Sequence, residues 1–161
     1  MTFSNTNVKR MIDSEYWGQR KINGARSEIS VSKTTMHNYT KNGIIHTKAI
    51  DIDIQTFLIH VFGHNRWTTI DCEWERFDGR LWIFDILKHK GKLLSGLSYS
   101  ERYSILQSFT FISRNIKILP VYKTELQVQK HLAKNLGDEG LVFKKPNTIG
   151  WPDNALIRMR F

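Results

Sequence analysis

The chain has 161 residues, 40% of them hydrophobic and 12% aromatic, and reads most simply as one domain, 1–161, of a size that buries about 70% of its unfolded surface. A formal net charge of +9 favours a polyanionic partner such as DNA, RNA or nucleotide phosphates. The single cysteine, Cys72, excludes an intramolecular disulfide framework and fits a reducing compartment. The first residues show no basic segment followed by an apolar run, and no apolar patch reaches the length of a membrane span, so a soluble cytoplasmic protein without a membrane partner is expected.

Val8, Met11 and Ile12 fall at helical spacing and predict a short helix within residues 1–15. Residues 16–22 read as a strand stopped by Asn23-Gly24, and residues 26–32 alternate directly afterwards. An Asn-Gly pair between two strands is a strong hairpin signal, so Lys21 is expected on a strand end beside a tight turn. Thr40-Lys41-Asn42-Gly43 repeats this turn chemistry before a short strand over residues 44–46. Residues 51–62 predict a helix, with acids in its first turn and Gly63 just beyond its end.

Residues 68–77 alternate as a strand, Asp78-Gly79 is a hairpin turn, and residues 81–87 form its strongly apolar partner. Residues 88–96 read as a basic loop, after which Ser98 or Ser100 caps a helix through Phe109. Residues 116–122 predict an edge strand because of Pro120, and residues 124–136 a helix stopped at Gly137. Residues 140–144 read as a core strand, 146–152 as a loop and 155–161 as a final strand. Hairpins of strands with a few intervening helices make the class α+β.

Alternation places Asp71 and Glu73 on one face of their strand, with Cys72 opposite. Trp82 and Phe84 share a face, opposite Ile83 and Asp85. The Asp78-Gly79 hairpin would bring Glu73 beside Phe84, a carboxylate and an aromatic plate in one pocket; taken singly, each reads as a surface acid and a core aromatic. Arg158 and Arg160 point the same way, and with Lys144 they would suit a triphosphate; without partner motifs they read as a basic edge. His60 and His64 have no third ligand in view. The sequence holds neither a Gly-x-x-x-x-Gly-Lys string nor a zinc-like Cys or His spacing.

Six strings occur in a telling order. Lys21-Ile22-Asn23-Gly24-Ala25-Arg26 resembles the Lys-x-Asp-Gly-x-Arg nucleophile motif of ATP-dependent DNA ligases, and Thr40-Lys41-Asn42-Gly43 resembles their Ser-Arg-Asn-Gly element. Asp71-Cys72-Glu73 resembles Asp-Gly-Glu. Phe84-Asp85-Ile86-Leu87, continuing through Gly91, Leu94, Leu97 and Glu101-Arg102, is similar to the run that begins at the adenine-stacking aromatic. Residues 139–144 fit Glu-Gly-Leu-Val-x-Lys, and Arg158-Met159-Arg160 stands at the place of a terminal Lys-x-Lys. The likeness runs from Tyr16 to Phe161 and is to the adenylation domain within the lysyl-nucleotidyltransferases, which include RNA ligases and mRNA capping enzymes. Asn23, Thr40-Lys41 and the two arginines depart from the pattern; an arginine fork in place of a lysine point charge changes shape at a phosphate site.

The resemblance implies an ATP-grasp-like nucleotidyltransferase domain of antiparallel sheets flanked by helices. It implies ATP and Mg²⁺ as cofactors and Lys21 as the residue that takes AMP. Phe84 would stack on adenine, Glu73 and Arg26 would hold the ribose side, and Lys144, Arg158 and Arg160 the phosphates. Glu139 would hold the metal and Lys41 a nucleic-acid phosphate. Nicked DNA is the expected partner. Family ligases continue into an OB-fold domain, which is not expected within residues 1–161, so a partner chain supplying it is a further expectation. RNA sealing or capping-type transfer, and nucleotide or nucleic-acid binding without sealing, stand as alternatives.

Overall fold

The computed structural model describes residues 1–47, 50–134, 137–152 and 155–161. Two sheets face each other, each backed by helices. The smaller contains β1 (Trp17–Lys21), β8 (Gly140–Lys144) and β9 (Leu156–Arg160), in the order β1-β8-β9 and antiparallel throughout. The larger runs β3 (Met36–Tyr39), β2 (Gly24–Val31), β4 (Thr68–Glu75), β5 (Leu81–His89), β6 (Lys92–Leu93). A further strand, β7 (Ile116–Ile118), pairs with the start of β5 in parallel, so the larger sheet is mixed.

Helix positions follow from caps and apolar faces. Ser4 caps α1 (Asn5–Asp13) and Asp51 caps α2 (Ile52–Phe62). Reciprocal capping boxes, Ser98 with Glu101 and Thr124 with Gln127, start α3 (Tyr99–Ser108) and α4 (Glu125–Leu132). Each box satisfies backbone N–H groups that a helix start leaves unpaired. Leu58 and Phe62 of α2 and Tyr103 and Leu106 of α3 pack on the back of the larger sheet, against Ile29, Ile70, Cys72, Ile83 and Ile86. Val8 and Met11 of α1 and Val128 of α4 pack on the back of the smaller sheet, against Leu141, Phe143 and Met159. The faces left over look at each other, and the polar residues of both sheets line the space between them.

Several expectations are corrected. Asn23-Gly24 is not a hairpin turn: β1 pairs with β8 and β2 with β3 and β4, so the dipeptide is the crossing between sheets. Glycine is required there by close approach, because a Cβ on Gly24 would lie 1.8 Å from the Trp74 carbonyl oxygen. The basic loop is instead a continuation of β5 to His89, a turn through Lys90 and Gly91 at positive φ, and β6. The strand expected over residues 44–46 is a single bridge from Ile45 to Tyr39, and the strand over 116–122 ends at Ile118. The fourth helix ends at Leu132, with Ala133 as its cap; residues 135 and 136 of its expected span lie outside the described residues. Asp78-Gly79 is the expected hairpin turn, with Glu75 N–H donating to the Arg80 carbonyl and Gly79 at φ +70°.

Gly24→Ala is expected to destabilise the fold by about 3 kcal/mol, the upper end of overpacking costs, because two paired backbones must separate. Gly79→Ala, which meets open space and pays only for its positive φ, should cost about 1 kcal/mol. Urea denaturation of both variants checks the contrast; equal losses would mean that Gly24 serves only as a flexible link.

Candidate active site

Register in the smaller sheet assembles the first part of the site. Lys21 lies opposite Gly140, which lies opposite Arg160; two residues along, Gln19 faces Val142 and Val142 faces Arg158. The front face of the sheet therefore carries Lys21, Arg158 and Arg160 together, with Arg160 two strands, about 10 Å, from Lys21. Gly140 has φ +144°, and a Cβ there would lie 1.9 Å from the Met159 carbonyl oxygen, so glycine lets the three strands close beside Lys21.

The larger sheet supplies the opposing wall. Arg26 of β2 faces Glu73 of β4, and Glu28 faces Asp71. Arg26 grips Asp71 with two donors, Nε at 2.9 Å from Oδ1 and Nη2 on Oδ2. A register shift on β5 then corrects the expected alternation. Cys72 pairs with Ile83 but Asp71 pairs with Asp85, leaving Phe84 as the extra residue of a bulge. Phe84 and Asp85 consequently both turn toward the cavity rather than to opposite faces. A bulge re-aims side chains in this way because the ladder's period of two is broken.

The resulting cavity has a volume of about 470 Å³. Of the expected residues, Lys21, Arg26, Glu73, Phe84, Lys144 and Arg158 line it. Glu139 contacts the Lys21 ammonium, and its own backbone N–H donates to the Lys21 carbonyl at 2.9 Å. Arg160 is exposed at the end of the same sheet row as Lys21. Lys41 is not brought in: it sits exposed in the turn after β3, outside the cavity lining.

Three features escaped the sequence reading. The first is the floor: Arg102, 2% exposed, donates to both oxygens of Asp85 at 2.9 and 3.1 Å and to the Leu97 carbonyl at 2.8 Å. The second is Trp151, whose indole N–H donates to Asp85 at 3.2 Å while its ring lies 4.7 Å from the Arg102 guanidinium. The third is the aromatic seat of Lys144, whose ammonium stands 4.9 Å from the Phe84 ring centre and 4.3 Å from that of Tyr99. Asp85 and Arg102 carried a weak signal, since both lie in the run beginning at Phe84. Trp151 carried none, because its partners are 49 and 66 positions away.

Burial dominates the electrostatics. It lowers the Lys21 amine below the usual lysine range, with Arg160 and Arg158 adding to the effect and Glu73 opposing it. It brings the buried Lys144 amine down to about 8, although Asp85 and Asp71 favour the charged form. It lifts the Glu73 carboxyl to about 7 and Asp71 to about 6, even with Arg26 beside them. Cations outnumber carboxylates along the cavity, which suits an anionic ligand.

Among the described residues no group of three or more His, Cys, Asp and Glu could cage a metal ion. A Mg²⁺ carried on substrate phosphates needs only one or two protein carboxylates. Glu139, with a side chain 40% exposed, meets that requirement from the Lys21 side of the site.

No protein-family model matches the sequence, and no curated protein matches it. Solved structures do share the fold. The ligase domain of M. tuberculosis LigD is 15% identical over 90% of this chain and 53% of its own length, with a TM-score of 0.63. Mycobacterial DNA ligase D complexed with ATP and MES is 14% identical over 90% and 54%, TM-score 0.67. The ATP-dependent DNA ligase of bacteriophage T7 in complex with ATP is 15% identical over 99% and 67%, TM-score 0.59. The chain thus spans about half the length of the first two. The fold is that of ATP-dependent DNA ligase nucleotidyltransferase domains, α+β as expected.

Because the Glu73 carboxyl is raised from 4.5 to about 7, the folded chain keeps a proton in that window which the unfolded chain has released. This group's contribution to stability therefore falls as pH rises through the window. Wild type should lose stability relative to Glu73→Gln between about pH 5 and pH 8. Urea midpoints across that range check the sign, and parallel curves would contradict it.

Proposed function

We propose that this chain is a nucleotidyltransferase core of the ATP-dependent DNA ligase type. The observation that carries the reading is the Lys21 amine, placed by sheet register beside Arg158, Arg160 and Glu139 at a cavity walled by Phe84 and Glu73. Solved ligases of this fold that were determined with ATP support a nucleotide as the ligand.

A free lysine at neutral pH is uncharged in roughly one molecule in 2,500, a penalty of about 4.6 kcal/mol if fully removed. Burial, Arg160 and Arg158 disfavour the ammonium, whereas the carboxylates of Glu73 and Glu139 favour it, so drawing Glu139 onto a cation would free the amine. The neutral amine attacks the α-phosphorus of ATP; an N–P bond forms while the P–O bond to pyrophosphate breaks, leaving lysyl-AMP. Phe84 offers the adenine a stacking face. Arg26, held rigid by Asp71, and Glu73 face the ribose. Lys144, Arg158 and Arg160 neutralise phosphate charge. Bound at Glu139 and the phosphates, Mg²⁺ would supply charge neutralisation at the reacting phosphoryl group. AMP then passes to the 5′-phosphate of nicked DNA, and the 3′-hydroxyl displaces it to close the strand.

Positive charge is this domain's own means of holding a duplex, and affinity that rests on phosphate contacts falls steeply with salt. Sealing is therefore expected to be salt-sensitive and to improve when an OB-fold partner is added. The arginines at 158 and 160 favour one second reading, nucleotide transfer without efficient sealing, since their forked geometry differs from a lysine's.

Incubation with α-labelled ATP and Mg²⁺ should label the wild-type protein, and Lys21→Ala should abolish the label while the fold persists. Undiminished labelling of the variant would remove Lys21 from its role. Phe84→Ala should weaken nucleotide binding by roughly 1–3 kcal/mol through the lost stacking face, measured by titration calorimetry.

A further inference from the structure

Two ion pairs stand back to back at the end of β1. Arg20 and Lys21 are consecutive on the strand, so their side chains leave opposite faces of the sheet. Asp138 and Glu139 are likewise consecutive, just before β8. On the cavity side Lys21 meets Glu139. From the other face of β1 Arg20, which also borders the cavity, meets Asp138, with Nε at 3.1 and 3.0 Å from the two carboxylate oxygens and Nη2 at 2.7 Å from Oδ1.

The Arg20–Asp138 pair is much the more constrained. The Arg20 and Asp138 side chains are 5% and 4% exposed, against 15% and 40% for Lys21 and Glu139. Arg20 also donates to Glu75 Oε1 at 3.0 Å, and its guanidinium lies 4.7 Å from the Trp82 ring centre. Glu75 in turn accepts from the Trp82 indole N–H at 2.7 Å. Asp138 Oδ2 is 2.8 Å from His131 Nε2, and the His131 ring stacks on Tyr122. One guanidinium thus ties β1 to β4 and β5 of the larger sheet and to the segment that delivers Glu139.

We propose that Arg20 and Asp138 are positioning residues for the Lys21–Glu139 pair. Glu139 lies outside any strand; its N–H donates to the Lys21 carbonyl at 2.9 Å and its carbonyl accepts from the Phe161 N–H at 3.3 Å. A side chain on such a residue is aimed by whatever fixes the backbone beside it. On the C-terminal side that is the pairing of Gly140, and on the N-terminal side it is Asp138, clamped by a fork that Arg can make and Lys cannot. This inference rests on Glu139 acting toward a nucleotide-bound metal, as proposed above. Partners that orient a metal-binding carboxylate affect metal affinity by about 10- to 100-fold.

The test uses wild type, Asp138→Asn and the milder Arg20→Lys, which keeps a buried charge in place if the first variant folds poorly. Two readouts are taken on each folded variant: the Mg²⁺ concentration giving half-maximal self-labelling with ATP, and hydrogen exchange at the Glu139 and β8 amides without nucleotide. The expected result is at least a tenfold rise in the half-saturating Mg²⁺, with faster exchange confined to Glu139 and its neighbours while β4 and β5 amides keep wild-type protection. Wild-type Mg²⁺ dependence and wild-type Glu139 exchange in either folded variant would overturn the positioning role alone. Exchange accelerated everywhere would make the pair a general stabiliser and overturn it as well. Absence of any label on the wild-type protein would overturn the lysyl-nucleotidyl reading, and this inference with it.

Discussion

The antiparallel register of β1 against β8 is the constraint on which the rest of the site depends. With Lys21 opposite Gly140 and Gly140 opposite Arg160, one row of the smaller sheet holds an amine, a gap and a guanidinium. Slipping this pairing by one residue would exchange the faces of Lys21 and Arg20 and turn Lys21 away from Arg158 and Arg160. The back face opposes that slip at Gly18, where a Cβ would already lie 3.1 Å from the Phe143 ring, so neither Trp17 nor Gln19 fits in its place. Close packing of Gly18 on Phe143 on one side of the sheet therefore fixes chemistry on the other.

The second sheet is placed by polar contacts that span the gap. Arg20 reaches Glu75, and the Gln19 amide donates to the Leu119 carbonyl at 3.4 Å. Gly18 and Tyr122 exchange backbone hydrogen bonds at 2.8 and 2.7 Å, while Leu119 N–H donates to the Ile83 carbonyl at 2.7 Å. The segment following β7 is thus bound to both sheets. Buried polar groups of this kind are costly when unpaired, so they specify one relative placement of the two walls. The charged pairs of the floor and back, Asp85 with Arg102 and Asp138 with Arg20, act at the two ends of that seam.

Much of the fold was legible where local chemistry decides it. The capped helices, the Asp78-Gly79 hairpin and the alternation of β4 follow from short-range rules, and they place Glu73 as expected. The failures have one physical origin, which is that strand pairing is non-local. Asn23-Gly24 looks like a hairpin turn because nothing nearby reveals that β1 has a better partner in β8, some 120 positions on. The bulge at Phe84 is similarly invisible, yet it lets Asp85 join the cavity. At the site, most of the residues expected from the motif resemblance converge around the cavity, whereas Lys41 stays exposed in its turn and Trp151 arrives without notice. Motifs carry the groups that face a ligand; they say little about the groups that hold those in place.

A crystal structure with a non-hydrolysable ATP analogue tests the central claim most directly. The account predicts the adenine against the Phe84 ring and the α-phosphorus about 3–3.5 Å from Lys21 Nζ, the separation of a near-attack geometry. The β- and γ-phosphates should point away from Lys21, toward the cations of β8 and β9. A nucleotide bound elsewhere, or bound here with its α-phosphate beyond the reach of Lys21, would contradict it.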